Sequence, residues 1–114
     1  KGARQPIWFH RPDGGLILFA GLNESWQPAP GEWEPTFTII TTAANATLEP
    51  VHDRMPVILP HEVVDEWLYP RQDDVAALSS LLVPASDDLL VGTPVSPRVN
   101  SVKNDDAACL EPLR

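Results

Sequence analysis

His52, Asp53 and Arg54 stand side by side in "VHDRMPVIL", between Val51 and an apolar run that begins at Met55. Buried charge is costly unless it is paired, so three such residues in a row mark either a solvent-facing junction or a site. An imidazole titrates near neutral pH, which makes His52 a candidate general acid or base. A guanidinium is a planar fork that matches phosphate oxygens, which makes Arg54 a candidate anion contact. In the alternative, His52 bonds a backbone carbonyl while Asp53 and Arg54 pair with neighbours, the commoner fate of a lone polar triplet.

Other residues offer weaker chemistry. His52, His61 and Glu62 carry nitrogen and oxygen donors, but their spacing matches no zinc signature and His10 is far away in the chain, so no metal is expected. Cys109 could serve as a nucleophile beside a His; a small buried hydrophobe is the ordinary role of a free cysteine. Glu24 could act as an acid if Trp26 desolvated it, although no partner is evident. Trp26 and Trp33 could stack on bases or sugars, whereas Trp8 and Trp67 are accounted for by a strand and a helix face. Thr41 and Thr42 could turn hydroxyls toward a ligand or simply favour a strand. Phosphate loops and dinucleotide fingerprints do not occur, and no cofactor is expected.

The elements that must hold these residues are short, because 13 prolines cut the 114-residue chain at frequent intervals. Residues 5–10 and 15–20 read as a hairpin around Pro12-Asp13-Gly14-Gly15, and residues 23–36 as a loop. "TFTIITTAA" reads as a strand central in a sheet, residues 44–48 as a helical turn, and "MPVIL" as a brief strand. "PHEVVDEWLYP" predicts a helix with Val64, Trp67 and Leu68 on one face, stopped by Pro70. A second helix is expected over "VAALSSLL" with Asp73 or Asp74 as its cap, and late strands over "DLLVGTPVS" and "CLEPL". The fold class is α+β, with a mixed, mostly antiparallel sheet and short flanking helices.

Composition narrows the partners. Sixteen acidic against eight basic residues give a net charge of -8, so any contact with a polyanion must be local. A lone cysteine argues against a disulfide-built secreted scaffold and for a reducing cytosol. No apolar run approaches a membrane span, so no membrane partner is expected.

"FTIITTAAN" followed by "HDRMPVIL", with "FAGL" upstream and "PVSPRVNSVKND" downstream, strongly resembles the SOS response-associated peptidase (SRAP) family over essentially the whole chain. The resemblance implies binding of single-stranded DNA, capture of an abasic site as a thiazolidine on an N-terminal Cys, and self-removal of the initiator Met. It implies a barrel-like core, a monomer when complete, and a bacterial-type cytoplasmic protein that gathers at the nucleoid on damage. His52 matches the family's active-site His, Arg54 the Arg that contacts the DNA backbone, and Thr41 a strand-end position facing the same pocket. Asp53 is their neighbour.

The family's "CGR", "NARAE"-like and "GFYEW"-like motifs do not occur in these residues. Residues 1–114 are therefore expected to be the C-terminal portion of a single SRAP domain, partnered by its N-terminal half and inactive alone. Cys109 cannot replace the nucleophile, since the crosslink needs amine and thiol on one residue. Glu24 cannot fill the place of the missing Glu, because "AGLNES" aligns with a different segment, often "AGLWE". The alternatives are a non-catalytic remnant or single-stranded DNA-binding module, and an interaction domain built on Trp26 and Trp33. An isolated rear half with an uncovered central strand is expected to aggregate or order poorly.

Overall fold

Three stretches that are apolar in sequence meet in one buried cluster: Ala20, Val57 and Leu59, with Ile40, Val63, Val64, Trp67, Leu81 and Leu82 packed against it. In the computed structural model, which describes residues 4–69 and 73–113, this cluster lies in one of two compact units, residues 17–86; residues 1–16 and 87–114 form the other. Mostly antiparallel strands with a few short helices confirm the α+β class. Within neither unit do the described strands close a barrel; they pair as two-stranded ladders.

In the first unit, β1 (Ile7–His10) pairs antiparallel with β6 (Val91–Pro94). Gly92 lies where a Cβ would meet Ile7 Cγ2 and Phe9 Cε1 at 3.0 Å, so the close approach of the two strands needs a glycine. Val95, Leu90 and Cys109 are buried, and the Arg98 fork clasps Asp106, with Nη2 to Oδ2 at 2.7 Å and Nε to Oδ1 at 3.3 Å.

In the second unit, β2 (Gly21–Ala29) and β3 (Glu32–Ile39) form a long hairpin, and β4 (Thr41–Ala43) pairs with β5 (Arg54–Pro56). A 3₁₀ turn, His61–Val63, leads into α1 (Val64–Leu68), whose Trp67 Nε1 donates to Gly21 O at 3.3 Å. α2 (Val75–Ser79) is capped as expected by Asp74, whose carboxylate accepts from Ala77 N. Pro70, the expected stop of α1, lies outside the described residues. Leu68, expected on the packed face, is exposed.

Four expectations give way. Asp13 and Gly14 do make the predicted turn, with Gly15 N donating to Asp13 Oδ1 at 2.8 Å and Gly14 at φ 73°. Residues 15–20 are nonetheless no hairpin arm, because Leu18 and Ala20 bond to Leu59 and Val57 while β1 takes β6. The supposed loop at residues 23–36 is the β2–β3 hairpin. Its signals were a Pro30-Gly31 turn, with Gly31 at φ 81°, and apolar residues at every second position from Trp33 to Ile39, obscured by prolines and glutamates. The "TFTIITTAA" run is broken at Ile40, whose N–H donates to Ala20 O while its C=O accepts from Val57 N; the chain changes partner there and so is not one central strand. "CLEPL" becomes a 3₁₀ turn, Ala107–Leu110, followed by a single bridge between Val95 and Pro112, since the prolines deny a longer ladder.

Candidate functional site

The chain between β4 and β5 is a tight, locally bonded loop. Asn45 is buried at its base: its Oδ1 accepts from Leu48 N at 3.0 Å and its Nδ2 donates to Ala85 O at 3.1 Å. Leu48 O then accepts from both Val51 N and His52 N, and Ala44 N donates to Asp53 O. His52 thus enters β5 from a backbone held on both sides, while its side chain stays exposed at 68%.

A specific hydrogen bond sets the ring. Arg54 N donates to His52 Nδ1 at 3.0 Å, and a backbone N–H can only donate, so Nδ1 is the acceptor. The neutral ring therefore carries its proton on Nε2, and presents an N–H outward. Asp53 Oδ1 lies 3.4 Å from the same Nδ1 and Arg54 O at 3.2 Å; both become acceptors only when the ring is fully protonated. The Arg54 amide, rather than the Asp53 carboxylate, orients the neutral imidazole.

Arg54 and Thr41 meet directly. They lie diagonally across the ladder on one face, two residues off register, since Ala43 pairs with Arg54 and Thr41 with Pro56. Arg54 Nη2 reaches across the ladder to donate to Thr41 O and Thr41 Oγ1, both at 3.0 Å. All three residues proposed from sequence, His52, Arg54 and Thr41, therefore belong to one small ladder and its loop, with exposed side chains standing above a buried Met55. That Thr41 supports Arg54 was not legible from residue types; a β-branched residue two positions along the strand from Arg54's partner is the signal that could have found it.

The remaining candidates are dispersed. Glu24 lies mid-strand on β2 and is exposed, as is Trp26, so the pair does not make a desolvated acid. His10 stacks on Trp8 with ring centroids 4.1 Å apart and has both nitrogens engaged, with Thr93 Oγ1 at 2.8 Å and Arg11 O at 3.1 Å. Cys109 is buried, its Sγ 3.7 Å from Asn104 O, consistent with a packing role. Among the described residues no three His, Cys, Asp or Glu side chains gather as a metal-holding group, and no helix is long and apolar enough to cross a membrane. An open, largely apolar cavity of about 480 Å³ lies elsewhere in the same unit, between the base of the β2–β3 hairpin and α1; sequence reasoning missed it.

Comparison with known proteins gives a consistent result. The chain is 42% identical over 106 residues to "Abasic site processing protein YoqW" of Bacillus subtilis, covering 93% of this chain and 47% of that protein. It is 38% identical over 101 residues to "Abasic site processing protein HMCES" of Gallus gallus, covering 86% and 29%. Against "Abasic site processing protein YedK" of Escherichia coli it is 34% identical over 117 residues, covering 96% and 50%. A crystal structure of a Bacteroides thetaiotaomicron protein superposes with a TM-score of 0.81 at 28% identity, over 99% of this chain and 51% of that one. The chain spans about half, or less, of the length of the curated relatives it matches. The family model described as "SOS response associated peptidase (SRAP)" matches residues 1–102, and with the relatives' identities this makes the chain a member of the SRAP family.

Proposed function

We propose that this chain is the rear portion of a single SRAP domain that processes abasic sites in single-stranded DNA in the cytoplasm, working as a monomer once the domain is complete. The observation that carries the reading is the Thr41–Arg54–His52 arrangement on the β4–β5 ladder, in a family whose relatives bear the name abasic site processing protein. Arg54 is the backbone contact. With Nη2 tied to Thr41 O and Oγ1, the guanidinium is tethered at one end, and its other N–H groups are the donors for a phosphate oxygen. Such a pre-set fork loses less side-chain freedom on binding than an untethered one.

His52 is the proton-handling group. With the ring protonated and Nδ1–H turned to Arg54 O or Asp53 Oδ1, Nε2 gives its proton to the ring oxygen of the abasic sugar as the C1–O bond breaks, and the neutral Nε2 then takes the proton of the C1 hydroxyl, leaving the open aldehyde. The aldehyde then meets the N-terminal Cys of the complete domain. The amine forms a C=N bond with loss of the carbonyl oxygen as water, and the thiol adds across that bond to close the thiazolidine. This chain provides DNA contact and proton transfer, and the other half of the domain provides the nucleophile.

The test uses the complete domain and abasic single-stranded DNA, with the covalent adduct followed by intact-mass spectrometry. His52→Ala should slow adduct formation roughly a hundredfold or more, the usual scale of general acid–base assistance. Arg54→Ala should weaken binding and reduce the slope of log affinity against log salt by about 0.7, the loss of one single-strand phosphate contact. An adduct rate indifferent to His52→Ala removes the catalytic role. A band shift that depends on Arg54 with no adduct formed under any condition assigns the protein instead to a single-stranded DNA-binding module.

A further inference from the structure

Asn45 is the one buried polar residue among those described, at 6% exposure. An amide taken out of water is costly unless both its oxygen and its nitrogen are bonded, and here both are. Oδ1 accepts from Leu48 N at 3.0 Å, inside the loop that carries His52. Nδ2 donates to Ala85 O at 3.1 Å and Ser86 O at 3.4 Å, outside that loop. The backbone N–H of Asn45 meets Met55 Sδ at 3.3 Å, beneath β5.

These attachments lead to the core. Ala85 and Ser86 follow Leu81 and Leu82, which pack on the Ala20, Val57 and Leu59 cluster, and Met55 is itself buried. From Asn45 the path to the imidazole is short. Leu48, pinned at its N–H by Oδ1, accepts at its carbonyl from His52 N at 3.0 Å, and Arg54 N donates to His52 Nδ1 at 3.0 Å. That last bond joins strand to loop, so it survives only while the loop keeps its place on β5. Leu48 is buried too, but apolar contact is non-directional and does not choose which ring nitrogen faces outward.

We propose that Asn45 is a positioning residue for His52: it ties the loop to the 85–86 segment and so keeps Arg54 N on Nδ1 and Nε2 facing outward. Its catalytic consequence rests on the reading of His52 as the proton-handling group. Asn45 touches no reacting atom, and its effect on the chemistry passes through the ring. A proton-transfer group displaced from its place loses rate with its own chemistry intact.

The experiment uses the complete domain with isotopically labelled histidine, and abasic single-stranded DNA. Asn45→Ala should lower the adduct rate at saturating DNA roughly tenfold, a part of the roughly hundredfold that the ring supplies. The half-saturating DNA concentration should move by less than about twofold, because Thr41 still tethers Arg54. In a His52→Ala background Asn45→Ala should lower the rate no further, since two residues that act as one unit are not additive. Long-range proton–nitrogen correlations, with the His52 signals identified by their loss in His52→Ala, should show the neutral ring passing from Nε2–H to a mixture of tautomers. Asn45→Ser keeps a hydroxyl near Leu48 N and loses the reach to Ala85 O; it should fall between Asn45 and Asn45→Ala, and it decides the matter by the same readouts if Asn45→Ala does not fold. The proposal is overturned by an unchanged tautomer, by a rate that Asn45→Ala leaves intact while His52→Ala lowers it, or by losses that multiply in the double variant, as independent destabilisation would give. If His52→Ala leaves the adduct rate unchanged, the functional reading falls, and the tautomer alone then upholds or overturns the positioning role.

Discussion

The β2–β3 hairpin and the β4–β5 ladder are both antiparallel pairs, and their situations are opposite. The hairpin strands run nine and eight residues and bury no side chain, whereas the ladder strands run three residues each and include Met55 at 1% exposure. The short ladder continues directly into Val57 and Leu59, the centre of the core cluster. Each ladder hydrogen bond contributes only about 0.5–1.5 kcal/mol net, so strand length is a poor guide to firmness. Burial of apolar area decides it. The candidate chemistry sits on the anchored pair, and the unanchored pair leaves its aromatic side chains exposed.

The sharpest way to break that comparison is a pair of truncations. Met55→Ala should destabilise the chain by about 2–5 kcal/mol, the cost of a cavity in a packed core. Phe37→Ala should stay within about 0.5 kcal/mol in the uncomplexed chain. Urea unfolding of both variants checks this; equal losses would mean that the hairpin is packed after all.

Asn45→Ala tests whether the loop carrying His52 is held from below. It deprives Leu48 N of an acceptor and Ala85 O of a donor, and should cost about 1–3 kcal/mol by the same measurement. If the loop relaxes as expected, the hydrogen exchange of His52 N rises while hairpin amides do not change.

Thr41→Val keeps the shape of the side chain and removes the hydroxyl that Arg54 Nη2 reaches. At this exposed position the stability loss should stay below about 1 kcal/mol in a thermal melt. Its larger effect should fall on the order of the Arg54 side chain, visible as motional narrowing of its guanidinium NMR signals.

The smallest effect lies outside both strand pairs and serves as their control. The hydrogen bond from Arg98 holds the Asp106 carboxyl below the usual carboxylate range. The folded state therefore binds that proton less readily than the unfolded chain, so the contribution is whole above the ordinary Asp value and is lost as pH falls through the lowered one. Asp106→Asn should flatten the acid side of the stability profile slightly, while leaving the hairpin and ladder signals as they were.

Some elements were legible because the information is local. Asp74 before an apolar run is a cap whose carboxylate needs only the next turn, and α2 starts there. Pro60 followed by acidic residues and Val64 and Trp67 at helical spacing describes α1 for the same reason. The turn at Asp13-Gly14 formed too, yet it did not make a hairpin: a turn brings two arms near each other, and β6 and the residue 57–59 segment were better partners. At Ile40 the β-branched run was read correctly as extended chain, but its change of partner could not be seen, because each half bonds to a segment distant in sequence. His52, Arg54 and Thr41 were found through family resemblance. Residue types alone left His52 as a satisfied loop imidazole and Thr41 as a strand former.

By itself, the amino-acid sequence determined the α+β class, the helix starts, the acidic balance that confines any DNA contact to a local patch, and membership of the SRAP family, since propensity, capping, charge and motif are properties of neighbouring residues. Only the tertiary structure decided which strands pair, which nitrogen of His52 faces outward, that Thr41 holds the Arg54 fork, and that the aromatic hairpin is left uncovered. Those outcomes depend on which distant segments win the competition for burial and hydrogen bonds, and that competition is settled by the whole packed chain.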